Sequence, residues 1–215
     1  MKFYQKLDGA VHVSAREYDI APETKIVEGQ LVTLSEGLVA AVEADGAILG
    51  IAAENHSGKA DAIDPRADGK RIFVIDDPCV VMQCAAPEVA ATGGSEETLE
   101  AEELGAFDEG DFTGGYVKLL RKAEKSENAD VPGKVRRIEG FAEGTLTLEK
   151  GGAPGKDDVY ALFPPIGFAK GSLGGEGVSL TLDKAEELPV MVMGRDLGLG
   201  KINLIAKKHL FAANA

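Results

Sequence analysis

Short apolar stretches broken by glycine and aspartate turns dominate the first third of the chain. Asp45-Gly46 is the strongest turn signal, because a pair that tolerates positive φ fits the two-residue hairpin that matches strand twist. The pattern predicts a β-module over residues 25–87, with Asp76-Asp77-Pro78 as a candidate break. The strands predicted within this module are Gln30–Leu34, Leu38–Glu43, Ala47–Ala53 and Arg71–Cys84.

The segments on either side of this module differ from it in pattern. Residues 1–24 have mixed polarity, which predicts an N-terminal extended arm or edge strand. Residues 88–115 are acidic, with eight acids and no base between Glu96 and Asp111, and such a run of like charges favours a solvated loop or linker. The alternative for this run is an electrostatic contact with a basic partner, or a cation site.

Residues 116–215 return to a strand pattern and predict a second β-rich part. Tyr116–Asn128 has apolar residues at helical spacing and predicts a helix, with a strand over Tyr116–Leu120 as the alternative. The further strands predicted are Val135–Phe141, Thr145–Glu149, Val159–Phe163, Val178–Leu182, Val190–Met193 and Lys201–His209. The whole chain therefore predicts a mainly β fold of small β-barrel or sandwich modules, with at most one or two short helices.

Composition narrows the classes of partner. The formal charge of −13 gives a surface that repels phosphate backbones and anionic lipid, so neither nucleic acid nor membrane is an expected partner. Aromatic residues make up 6% of the chain and tryptophan is absent, which leaves little material for stacking against bases or sugars. The N-terminus has no continuous apolar segment of the secretory type, so a cytoplasm is the expected site of synthesis.

Candidate catalytic and metal-binding residues are sparse. The three histidines are far apart and neither cysteine lies beside one, so no metal and no cofactor is predicted. One alternative is a cysteine hydrolase that combines Cys79 with His56 and with Asp76 or Asp77, since the members of such a centre are often distant in sequence. The simpler interpretation is that Cys79 and Cys84 are buried thiols, which cannot bridge each other within one strand.

Six residues are candidates for contact with other protein chains. Arg66 follows Pro65, which stiffens a loop around a guanidinium group capable of bidentate contacts. Arg195 lies in a glycine-flanked turn, for which a local ion pair with Asp196 is the simpler interpretation. The apolar C-terminal residues either close a sheet or dock on a neighbouring subunit. The six candidates are Tyr4, Val11, His56, Arg66, Arg195 and Phe211.

Two segments of the first β-module resemble the head decoration proteins of tailed phages and prophages. They are Glu28–Leu34, EGQLVTL, and Gly46–Gly58, GAILGIAAENHSG. The C-terminal stretch LPVMVMGRDLGLGKINLIAKKHLFAA is similar to the closing strands of a virion β-domain. The resemblance is best over Glu28–Ala85 and lies in the texture of the strands, without a catalytic motif.

This resemblance implies a non-enzymatic protein of the virion that binds the outside of an icosahedral capsid, commonly as a trimer. Its partners would be further copies of itself and the major capsid protein, with Met1–Pro22 as the arm exchanged between neighbours. A tail-tube or head–tail connector subunit is an alternative from the same class of particle. A small-molecule-binding β-barrel is an alternative from another class, which the shortage of aromatic residues disfavours.

Overall fold

The computed structural model describes residues 2–6, 14–21, 23–42, 46–57, 70–174 and 179–211, and it confirms the mainly β fold. The strands of the first part are β1 (Lys2–Lys6), β2 (Arg16–Asp19), β3 (Lys25–Ile26), β4 (Leu31–Ser35), β5 (Leu38–Ala41), β6 (Gly50–Ala52), β7 (His56–Ser57), β8 (Arg71–Ile75) and β9 (Val80–Ala85). The remaining strands are β10 (Glu88–Ala90), β11 (Gly93–Ser95), β12 (Thr98–Glu100), β13 (Tyr116–Arg121), β14 (Val135–Ala142), β15 (Thr145–Leu148), β16 (Val159–Phe163), β17 (Lys170–Gly174), β18 (Ser179–Glu187), β19 (Val190–Asp196) and β20 (Lys201–Ala206). A short 3-10 helix spans Glu102–Ala106, and no helix of the described ranges is long and apolar enough to cross a membrane.

A curled five-stranded sheet forms the N-terminal part, in the order β2-β8-β6-β4-β5. A parallel bridge between Ile20 and Val39 joins its two edges, so the strands wrap around a core of their own. Asp45 of the predicted hairpin lies outside the described residues. The side chains of this core are Ile20, Ile26, Val32, Val39, Leu49, Ala52, Ile72 and Val74.

The seven-stranded sheet has the order β10-β16-β13-β14-β15-β12-β11. Its edge strands β10 and β11 are consecutive in the chain, separated only by Ala91 and Thr92. One bent segment therefore pairs with β16 through its first half and with β12 through its second, and the sheet closes on itself as a small barrel. Buried side chains such as Leu99, Val117 and Leu162 belong to its core.

Residues 88–115, which include the acidic run, are a folded part of this barrel, so the loop or linker predicted over them is wrong. Strands β10 to β12 and the 3-10 helix lie within these residues. Leu99, Leu104 and Phe112 are fully buried, whereas Glu102 and Glu109 are exposed. A few apolar residues spaced among the acids are sufficient to hold this segment against the core. A prediction based on the number of charges overlooks them.

The helix predicted over residues 116–128 is also wrong, and the strand alternative is confirmed. Tyr116–Arg121 is a central strand of the barrel, paired with β14 on one side and β16 on the other. Val117 and Leu119 are buried at the two-residue spacing of a strand. Pairing on both sides supplies hydrogen bonds that a short amphipathic helix would have to form alone.

A four-stranded sheet, in the order β1-β9-β20-β19, brings the two ends of the chain together. The predicted strand Arg71–Cys84 is broken at Asp76–Cys79, and its second half, β9, leaves the N-terminal sheet to join this one. Within the segment predicted as an N-terminal arm, β1 pairs with β9 and β2 pairs with β8. Both strands therefore stand at sheet edges.

Candidate assembly surface

The four-stranded sheet has a core face and an outer face. Met82, Leu204 and Val192 point into the large core, since all three are buried members of it. The partly exposed residues that alternate with them form what we call the outer face: Gln83, Met191, Asn203 and Ile205.

The outer face combines apolar and polar side chains. Met191 lies directly opposite Ile205, and both are half-buried. The side-chain amide of Gln83 donates to Oδ1 of Asn203 at 3.0 Å, which joins β9 to β20 across the surface. Met193 lies beside this face at an irregularity of β19 and is 37% exposed. The surface therefore offers apolar contact area around an ordered polar pair.

The two edges of this sheet differ. At β19, the chain around Phe168 covers the middle of the edge: Val192 N–H donates to the Phe168 carbonyl and Gly167 N–H donates to the Val192 carbonyl, both at 2.8 Å. At β1, no strand lies beyond in the part of the chain that the structure describes. The register of β1 on β9 shifts between Phe3 and Gln5. Within the described ranges, the N-terminal strand is thus an open edge, held from one side only.

Three of the six predicted contact residues lie on this sheet or its direct continuation. Tyr4 lies at the irregularity of β1, Arg195 lies on β19, and Phe211 follows β20 and is 53% exposed. His56 lies apart from them, on β7 opposite Ile26. The two remaining candidates, Val11 and Arg66, lie outside the described residues.

Arg195 makes its described contacts inside its own chain. Its Nη1 donates to the carbonyl oxygens of Gly114, at 3.0 Å, and Pro164, at 3.4 Å. Asp196 accepts the backbone N–H of Leu199 at 2.8 Å, so the expected local ion pair is replaced by a turn contact. On the neighbouring barrel strand, Lys118 Nζ donates to the Leu197 carbonyl at 2.8 Å. These contacts fix the β19–β20 turn to the barrel.

The residues of the hydrolase alternative are engaged in separate local networks. The Asp76 carboxylate accepts the Tyr18 hydroxyl and lies 3.4 Å from Nη1 of Arg16. Burial, followed by the hydrogen bond to Asp76, raises the pKa of Tyr18 to about 12. His56 directs Nδ1 to the Thr24 carbonyl, and the backbone N–H of Cys79 donates to Asp77 at 2.9 Å. This geometry gives no support to a joint catalytic centre.

Both cysteines are free thiols, but they occupy different environments. Cys79 is half-buried in the turn before β9, and Cys84 is buried within the strand, so they do not share a strand as predicted. Burial raises the pKa of the Cys84 thiol, which keeps it protonated at neutral pH.

In the acidic run, where a cation site was the alternative prediction, a lysine side chain pairs with two of the carboxylates. Lys170 Nζ lies 2.7 Å from Asp108 and 2.9 Å from Asp111. The hydrogen bond from Lys170 lowers the pKa of Asp108 and correspondingly raises the pKa of the lysine. The ammonium group therefore stands where a cation would bind. Across the described ranges, no group of three or more His, Cys, Asp or Glu is arranged to hold a metal ion.

No family model, curated protein or solved structure matches the chain. The resemblance of Glu28–Leu34 and Gly46–Gly58 to phage head proteins therefore stays a prediction. In the fold, the first segment leads into β4, and the second contains β6 and β7. The sequence does not show that Gln83 joins this face, because Gln83 is more than a hundred residues from its partner Asn203.

Proposed function

We propose that this protein is a non-enzymatic structural subunit of a phage virion, a capsid decoration protein that self-associates and binds the major capsid protein. One observation carries the proposal: the open edge of β1 and the apolar outer face belong to the same four-stranded sheet. A subunit that adds to this sheet gains backbone hydrogen bonds along the edge and apolar contacts on the face.

The energetics favour such a surface as an assembly site. An exposed strand edge invites uncontrolled pairing, so proteins usually cover, shorten or charge it. Met191, Met193 and Ile205 are already partly buried, so covering the rest of each side chain would contribute about 1 kcal/mol or less, compared with about 1.5–3 kcal/mol for a fully exposed one. Contacts of this size are weak singly and become strong when many copies bind one particle.

The sequence resemblance supplies the class of particle. Of the segments that resemble head decoration proteins, β4 and β6 lie in the N-terminal sheet and β7 pairs with β3, whereas the proposed assembly surface lies on the four-stranded sheet. Strand β9 is the next strand after β8 of the N-terminal sheet, and it pairs with β1 and β20 of the four-stranded sheet. The N-terminal sheet therefore carries the resemblance to decoration proteins, and the four-stranded sheet connected to it carries the proposed assembly surface. The favoured oligomeric state is a trimer.

Light scattering over a range of protein concentrations tests the self-association. We expect the mass of a trimer for the wild-type chain, and a shift towards monomer of at least about tenfold in the association midpoint for Met193→Glu. Leu38→Glu is the matched control, since Leu38 is 40% exposed and also lies on a strand at a sheet edge, β5. A ring of six or more copies would indicate a tube or connector subunit instead.

Binding to capsids is the second part of the test. Purified protein is sedimented with capsids assembled from the major capsid protein of the same phage or prophage. Saturable co-sedimentation supports the proposal. A chain that stays monomeric at all concentrations and remains in the supernatant would overturn it.

A further inference from the structure

The residues after β20, Lys207–Phe211, form a short segment that we call the strap. It connects the four-stranded sheet to the chain at Ile48, beside the N-terminal sheet. Both Lys207 and Lys208 donate their backbone N–H to the carbonyl of Pro189. The strap then runs parallel to the chain at Ile48, with a bridge between Ile48 and His209. Ile48 N–H donates to the Lys208 carbonyl at 2.9 Å, and Leu210 N–H donates to the Ile48 carbonyl at 2.8 Å.

His209 is the buried centre of this strap. Only 9% of the residue is exposed. The Phe211 N–H donates to its Nδ1 at 3.1 Å, so Nδ1 is an acceptor and the neutral ring carries its proton on Nε2. Nε2 is buried and has no hydrogen-bond partner among the described residues. The strap therefore depends on a neutral imidazole whose one satisfied nitrogen must remain unprotonated.

The charged groups around the ring come from several elements. Asp76 and Asp77, in the connection between β8 and β9, favour a positive ring. Asp76 is itself engaged by Tyr18 and Arg16 of β2, which use part of its hydrogen-bonding capacity. The backbone of Leu49 lies close enough to the ring to favour its positive form as well, and Lys208 is the neighbour of His209 along the chain.

We propose that the strap is a pH-sensitive latch, in which protonation of His209 at Nδ1 releases residues 208–211 from Ile48 while β20 stays paired. A proton on Nδ1 removes the acceptor of the Phe211 N–H and places a positive charge in a buried site. Release frees the backbone of Ile48, which then offers its N–H and carbonyl to another strand. This proposal does not depend on the function proposed above.

The direction of the pH effect follows from the difference between the docked and released states. Burial lowers the pKa of His209 below the ordinary value of 6.5, against the opposing attraction of Asp76 and Asp77. The released strap therefore binds the proton more tightly than the docked strap does. Docking is fully favoured above pH 6.5 and weakens as the pH falls below that value, by at most about tenfold per pH unit for one proton.

Amide hydrogen exchange of the full chain, followed by NMR and corrected for the intrinsic pH dependence of exchange, tests this latch. The amides of Ile48 and Leu210 report on the strap, and the amide of Leu49, which donates to the Val32 carbonyl at 2.7 Å, is an internal reference in the sheet. We expect the protection of the two strap amides relative to Leu49 to be constant above pH 7. Below pH 6.5 it should fall, by up to about tenfold per unit.

Two variants attribute the effect to one histidine. His209→Asn retains an acceptor near the position of Nδ1 but does not titrate, so its strap protection should be independent of pH between 5 and 7.5. His56→Asn should keep the wild-type pH dependence, since His56 lies on β7 beside Thr24. Constant relative protection in the wild-type chain, or an unchanged slope in His209→Asn, would overturn the proposal. The wild-type comparison with Leu49 stands even if a variant folds poorly.

Discussion

The guanidinium carbon of Arg195 lies 4.9 Å from the centre of the Tyr116 ring, so a strand of the four-stranded sheet stacks on a strand of the barrel. The same guanidinium group donates to the Gly114 carbonyl, and Lys118 returns a contact to the turn after β19. The proposed assembly surface is therefore carried on a sheet whose far end is fastened to the barrel. A partner bound at this sheet would meet a pre-organised surface.

Arg195→Lys should lower the free energy of unfolding by about 1–2 kcal/mol, because an ammonium group loses the planar stacking on Tyr116 and the geometry of the carbonyl contact. Chemical denaturation followed by circular dichroism measures the change. Arg71→Lys is the control, since Arg71 forms an exposed pair with Glu17 at 3.0 Å, which contributes little. Equal losses in both variants would show that the stacking does not stabilise the fold.

Arg136→Met should be far more damaging, at about 3–5 kcal/mol. Arg136 is 1% exposed, and its guanidinium group donates to the carbonyl oxygens of Glu149, Gly152 and Glu96. Methionine fills much of the volume but leaves those carbonyl groups without their donor. Arg137→Met, on the exposed side of the same strand, should cost less than about 0.5 kcal/mol. Similar thermal midpoints for the two variants would contradict this account of the barrel.

Asp158 should make stability depend on pH in the acidic range. Burial disfavours its charge, but hydrogen bonds from the Asn128 and Ser126 side chains and the Ala123 and Gly155 N–H groups outweigh burial and lower its pKa below 3.8. Its stabilisation is present above pH 3.8 and is lost as the pH falls through the lowered pKa.

Asp158→Asn should remove that pH dependence and lower the free energy of unfolding by about 2–3 kcal/mol at pH 7. The asparagine NH₂ group would be placed against groups that are themselves hydrogen-bond donors. Denaturant unfolding at intervals from pH 6 to pH 2.5 measures both effects. The neighbouring Asp157→Asn is the control, since position 157 has φ of 68°, a conformation that asparagine tolerates. A wild-type slope that survives in Asp158→Asn would assign the acid sensitivity to other groups.

Gly50→Ala should destabilise the N-terminal sheet by about 3 kcal/mol or more. A methyl group at Gly50 would lie 2.0 Å from the Ile75 carbonyl oxygen, which is backbone and cannot move aside alone. Gly105→Ala has no atom within 4 Å of the added carbon and should be close to neutral. Thermal unfolding of both variants checks the difference. A neutral Gly50→Ala would mean that β6 and β8 pack less closely than described.

The sequence predicts strand content well and strand partnership poorly. Local signals were sufficient for β4, β5 and β6, because turn residues and apolar runs lie within a few positions of one another. No local signal shows that β1 and β20 share β9, since both pairings join an end of the chain to a strand far away in the sequence. The closure of the barrel by β10 and β11 could not be predicted for the same reason, and these strands lie in residues 88–115, which were predicted as a loop because of their acidic charge.

The two wrong elements have a common cause. Tyr116–Arg121 satisfies both a helical and a strand pattern, and only its neighbours β14 and β16 decide between them. Residues 88–115 are held in the core by a few apolar residues, among them Leu99 and Phe112. The high density of acidic residues around them obscured this apolar pattern. Contact residues such as Arg195 could be singled out by type, but their internal partners could not.

Co-sedimentation with capsids is the decisive measurement for the four-stranded sheet as an assembly surface. We expect saturable binding of the wild-type chain to capsids of the major capsid protein. Met193→Glu should bind at least about tenfold more weakly, because it would place a charge beside the outer face, where the partner would bury it. Leu38→Glu should bind as the wild type does. Absence of wild-type binding, or binding that Met193→Glu leaves unchanged, would contradict the assignment of this sheet as the assembly surface of a decoration protein.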